Sequence, residues 1–131
     1  MPIVKALFPK ISRPGEYVAF LVFRASTLEG PAYLFMACDG YSEFAFQMNV
    51  ERDESPASVI KAVRMLTKDK DFALHMHKGF TLVFDRFEEL EEQIKAVLKP
   101  VNGKVLFHKA FHKKIAAPLV KEMGAFLKGR R

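Results

Sequence analysis

The 131-residue sequence has no tryptophan and a single cysteine, Cys38. One thiol cannot build a disulfide framework, and within its apolar run Cys38 reads as a small buried residue. No apolar run approaches the ~18 residues needed to span a bilayer. The opening stretch MPIVKALFPKISRPGEY, cut by lysine and proline, lacks the form of a secretion signal. There is no glycine-rich phosphate loop, no Cys-x-x-Cys pair and no Gly-x-Ser-x-Gly elbow, which excludes the chemistries those motifs carry. Internal repeats, low-complexity segments and interdomain linkers are also missing. These absences leave a cytoplasmic protein of one domain over residues 1–131, with a lead-in at 1–15 and a basic tail at 128–131. Neither a membrane nor a cofactor is expected.

What is present is apolar and basic. Half of the residues are hydrophobic, 13 of them phenylalanine, enough for one core without staples. The net charge of +6 is uneven. From Lys104 onward stand Lys104, Lys109, Lys113, Lys114, Lys121, Lys128, Arg130 and Arg131 against Glu122 alone, so the remainder is nearly neutral. Such a segment is either a solvated face or a surface for a polyanion such as DNA. The opposite patch, EELEEQ at 88–93, reads as a solvated helix face.

Periodicity gives the element order. EYVAFLVFRAS (16–26) is apolar on both faces, as a central strand requires. AYLFMACD (32–39) follows a Gly-Pro turn. SEFAFQMNV (42–50) alternates, with Phe44, Phe46, Met48 and Val50 on one expected core face. The period then changes: Ser55 caps and Pro56 opens a helix whose stripe is Val59, Ile60, Val63 and Leu66. FALHMH (72–77) predicts a fourth strand. Asp85 and Glu88 suggest a capping box for a helix with Phe87, Leu90, Ile94 and Val97 inward. KVLFH (104–108) predicts a fifth strand, and a last helix is expected from about Ala117, with Pro118 in its first turn.

The order strand-strand-strand-helix-strand-helix-strand-helix is that of a ribonuclease H-like fold, a mixed α/β class with a five-stranded mixed sheet. In detail FRASTLEGPAYLFMACDGYSEF, the helix PASVIKAVRMLTKD and HMHKG resemble, in collinear spacing over roughly residues 14 to 127, the integrase-type catalytic core of insertion-sequence transposases. Glu43 stands where that family has arginine. The resemblance implies a site of three carboxylates holding two divalent metal ions for phosphodiester transfer. It also implies that this chain has lost them. The first aspartate falls at Arg24, the second at His77, and the glutamate near Lys113 and Lys114. Asp39 matches a family aspartate outside the metal site and reads as a turn residue accepting bonds from Gly40–Ser42. Arg24 would pair with a local acid such as Asp39, or attract a phosphate.

Three functional readings follow. The first is a catalytically inactive integrase-core-like domain, with Lys109, Lys113, Lys114, Lys121, Lys128, Arg130 and Arg131 meeting nucleic-acid phosphates. The second is a protein interaction or dimerisation module of the same fold. The third is a metal-binding protein. His75 and His77 share a face of the expected strand, and His108 and His112 share one if the last helix begins early. Imidazoles so placed could ligate a transition metal.

Overall fold

The structure, a computed structural model, describes residues 10–76 and 79–129, without the side chains of residues 47, 48, 75, 76 and 124–129. The doubly apolar run becomes β1 (Tyr17–Thr27), joined by a tight turn to β2 (Gly30–Asp39) and followed by β3 (Ala45–Glu51). After them come α1 (Pro56–Thr67), α2 (Lys70–Met76), β4 (Phe80–Phe84), α3 (Glu91–Leu98), β5 (Gly103–Phe107) and α4 (Lys109–Gly129). The sheet order is β3-β2-β1-β4-β5. β3, β2 and β1 are antiparallel neighbours, whereas β4 and β5 join β1 in parallel, so the sheet is mixed.

Alternation along β1 sorts the core into two layers. Val18 and Phe20 face α1 and α3 in a cluster with Phe35, Phe46, Phe72, Phe80 and Phe84. Ala19 and Leu21 face α4, where Cys38, Val83, Phe111, Ile115 and Leu119 close the other layer. Phenylalanine does the work that larger aromatics do elsewhere. Phe20 stacks on Phe84 at 4.7 Å between centroids, and Phe72 sits edge-on to Phe46 and Phe80 at 5.3 and 5.0 Å. Each fully buried ring contributes about 1.5–3 kcal/mol. α1 begins as its sequence requires, with Ser55 accepting the Ser58 N–H, Pro56 in the first turn, and Val59, Ile60, Val63 and Leu66 buried.

Four local expectations are corrected. Residues 72–76 are helical, and the fourth strand is FTLVF at 80–84. Asp69 caps α2 by accepting the Phe72 N–H at 2.9 Å, and a short apolar stretch alone cannot separate the two periods. The third helix starts at Glu91 after a 3₁₀ turn, and no side-chain hydrogen bond caps either. Instead of a capping box, Phe87 takes a left-handed conformation with φ 75° as the chain leaves β4. The last helix begins at Lys109, eight residues before the expected start, so Pro118 lies in its interior. His108 makes the early start possible: its Nδ1 accepts the Phe111 N–H at 3.1 Å and its carbonyl accepts the His112 N–H. Finally, Phe44 and Val50 are exposed while Phe46 is buried. Phe44 lies before the first residue of β3, and Val50 is parted from the Phe46 face by a register shift between Leu34 and Met36, where β3 holds one extra residue.

Candidate functional site

Asp39 ends β2 and is only 1% exposed. Its Oδ1 accepts N–H bonds from Gly15 at 2.9 Å and Tyr41 at 3.4 Å. Its Oδ2 accepts from the Ser42 N–H at 3.2 Å and the Ser42 Oγ at 2.6 Å. Four donors engage both oxygens, which makes this carboxylate a clasp between the lead-in and the β2–β3 turn. The Gly15 bond has no local sequence signal because it joins residues 24 apart. Arg24 does not pair with it. Asp39 lies opposite Val18 and Arg24 opposite Tyr33, six residues or about 20 Å further along β1. Beside Asp39, Cys38 is fully buried. Burial first, and then the charges of Asp39, Glu43 and Glu122, push its thiol up to about 11, so it is an inert sulfur rather than a nucleophile.

A cleft lies where β4 ends. β4 pairs with β1 only across Tyr17–Ala19, and continuing that register sets Asp85, the residue after β4, beside Leu21. α4 runs over this point. The cleft between them has a volume of about 740 Å³. Its walls are Leu21, Val22 and Phe23 from β1, Asp85 and Arg86 after β4, and Lys109, His112, Lys113, Ala116, Ala117, Val120 and Lys121 from α4. Among the described residues, four cations therefore stand around one carboxylate, over an apolar floor. Arg86 is also tied to Glu54 at 2.6 Å and lies over the Phe87 ring. The buried His112 places Nε2 at 2.6 Å from the Phe20 carbonyl, and since a carbonyl only accepts, Nε2 carries the proton.

The sequence-expected residues are distributed unevenly around this cleft. Lys109, Lys113 and Lys121 line it, while Lys114 is exposed on α4 outside it. The side chain of Lys128, and Arg130 and Arg131 entirely, lie outside the described residues. So does His77, and the strand end expected there belongs to Asp85 because the strand itself is 80–84. Arg24 is exposed, three residues beyond Leu21 and, by alternation with Val18, Phe20 and Val22, on the face opposite α4. Arg24 and Lys113 are therefore not brought together. Asp85 and Arg86 were missed, although FTLVF, apolar but for Thr81 and followed by Asp, has the composition of a buried parallel strand and its C-terminal edge.

Of the two histidine pairs, His77 and the side chain of His75 lie outside the described residues, and the backbones of His75 and His108 belong to opposite ends of β4. His75 lies in α2, which precedes the N-terminal end of β4, whereas the His108 N–H bonds the Phe84 carbonyl at the opposite end. Among the described residues no three His, Cys, Asp or Glu side chains group to hold a metal ion, and no helix is long and apolar enough to cross a membrane.

No protein-family model matches this chain, and no curated protein sequence does. Solved structures do. One is a chain of the simian T-cell lymphotropic virus intasome in complex with PP2A regulatory subunit B56 gamma, 12% identical with a TM-score of 0.64, over 92% of this chain and 42% of that one. The HTLV-2 integrase catalytic core domain in complex with magnesium matches in its trimeric form at 14% identity and TM-score 0.62, over 89% of this chain and 69% of that one. Its dimeric form gives 13% and 0.62, over 89% and 70%. The fold is thus that of retroviral integrase catalytic cores, a ribonuclease H-like fold, and the chain spans less than half the length of the intasome chain it matches.

Proposed function

We propose that this chain is a catalytically inactive integrase-core-like domain that holds nucleic acid by its phosphates. The observation that carries the reading is the donor set of the cleft: Asp85 alone among Arg86, Lys109, Lys113 and Lys121. Two-metal phosphoryl transfer needs several oxygen ligands converging on divalent cations. Here the β1 position beside Asp85 is Leu21, and α4 supplies cations and alanines, so the residues do not fit that pair of ions. The same groups suit an anion, because lysines spaced along one helix can neutralise successive phosphates.

The chemistry available to the cleft is therefore binding, without base readout, and its strength depends on salt. With three or four cations engaged, the slope of log affinity against log salt on a short DNA duplex is about −3 to −4. Binding does not require Mg²⁺, which acts only as a competing counterion and weakens it. The test is a labelled duplex titrated across a salt series with and without Mg²⁺. Mg²⁺-dependent cleavage or strand transfer that disappears in Asp85→Asn overturns the reading.

A further inference from the structure

The geometry points to β1 as a docking edge for an extended acidic peptide from a partner protein, which would add a strand in the lane that β4 leaves and set its carboxylates against the lysines of α4. This rests on the open strand edge and the cations, and it stands whether or not nucleic acid uses the same cleft.

The open edge follows from the hydrogen-bond phase of the sheet. The Thr81 N–H bonds the Glu16 carbonyl at 2.9 Å, while the Gly40 N–H bonds the Tyr17 carbonyl at 2.8 Å. Even-numbered residues of β1 thus direct their backbone groups into the β4 lane, and odd-numbered ones toward β2. Among the described residues no strand pairs with β1 in that lane beyond Ala19, yet β1 continues to Thr27. His112 occupies the first vacated position by bonding the Phe20 carbonyl. Val22, Arg24 and Ser26 then aim N–H and C=O groups into a lane with no strand, over about 13 Å.

The cleft opens onto that edge rather than onto one face. Leu21, Val22 and Phe23 all line it, and three successive residues of a strand alternate faces, so they reach one cavity together only where it meets the strand edge. Edge pairing supplies affinity through the main chain, and pockets for alternate side chains supply selectivity. Here the α4 side of the lane carries Lys109 and Lys113, one helical turn or about 6 Å apart. Acidic residues at every second position of an added strand recur at a similar interval of about 6.6–7 Å. An alternating acidic and β-branched strand therefore matches both walls. Nucleic acid has no row of amides with which to pair the edge. If it binds Lys109 and Lys113, it and the peptide exclude each other.

The probe is a short fluorescent peptide of alternating Glu and Val, with two analogues N-methylated at alternate amides in opposite phase. Anisotropy titrations at low salt should show binding that one methylated phase weakens about tenfold or more and the other leaves nearly intact. Arg24→Pro should weaken it comparably, because its N–H points into the open lane and proline is tolerated on such an edge. Lys113→Glu should weaken it as well. The methylated pair needs no protein variant, so a poorly folded Arg24→Pro does not blunt the test. Equal binding of both phases would reduce the contact to charge alone and overturn the proposal. So would a peptide that fails to bind while an oligonucleotide binds.

Discussion

The Nε2 of His112 and the carbonyl oxygen of Phe20 are 2.6 Å apart, joining α4 to β1 at the point where β1 parts from β4. A continued β4 would offer the Asp85 N–H there; the imidazole replaces it. His112→Ala leaves that buried carbonyl without a partner and should destabilise the protein by about 1–3 kcal/mol in denaturant unfolding. Asn or Gln, which keep an N–H donor, should cost less.

Asp39→Ala removes the acceptor for Gly15, Tyr41 and Ser42 together. The expected loss is about 2–4 kcal/mol, since hydrogen bonds to a buried charge outweigh neutral ones. Asp39→Asn retains one acceptor oxygen and should fall between the variant and the parent. Unfolding midpoints of the three proteins check the order, and a neutral Asp39→Ala would contradict the clasp.

The Cys38 thiol, held up to about 11, should resist alkylation in the native state. Near pH 7 only about one thiol in ten thousand is ionised. Because the folded value lies above the ordinary thiol value of 9.0, its contribution to stability is complete below about pH 9 and declines as pH rises toward 11. Labelling rates before and after denaturation should differ sharply, and Cys38→Ala should flatten the alkaline decline.

Replacing Lys109, Lys113 or Lys121 with Gln should lower DNA affinity to a similar extent on any sequence. Each should reduce the magnitude of the salt slope by about 0.9. Lys104→Gln, which lies outside the cleft, serves as the control. Slopes measured by anisotropy decide the matter: an unchanged slope in all three variants would remove nucleic acid from the cleft.

Much of the architecture was legible in the residues. The doubly apolar β1, the Gly-Pro turn and the Ser55-Pro56 start of α1 are local signals, and local signals survive in the fold. The failures share a cause. FALHMH suits a strand by the alternation of Phe72, Leu74 and Met76. What makes the segment helical is Asp69 before it and the pocket between Phe46 and Phe80 around it. That misplacement hid β4, and with it the position of Asp85. Lys109, Lys113 and Lys121 were found from charge alone. The link from His112 to Phe20 spans 92 residues and leaves no local trace.

The strand order also divides the folding of the chain in time. β1, β2 and β3 pair through neighbouring turns, so their meander can form from local contacts. β4 must return to β1 across the whole interval from Tyr17 to Thr81 before Phe20 can stack on Phe84. Closing so long a loop adds only a few kcal/mol of entropy, but it is spent before the parallel contacts repay it. The central strand is therefore expected to mature in two stages, its β2 side early and its β4 side late, with α4 sealing the second.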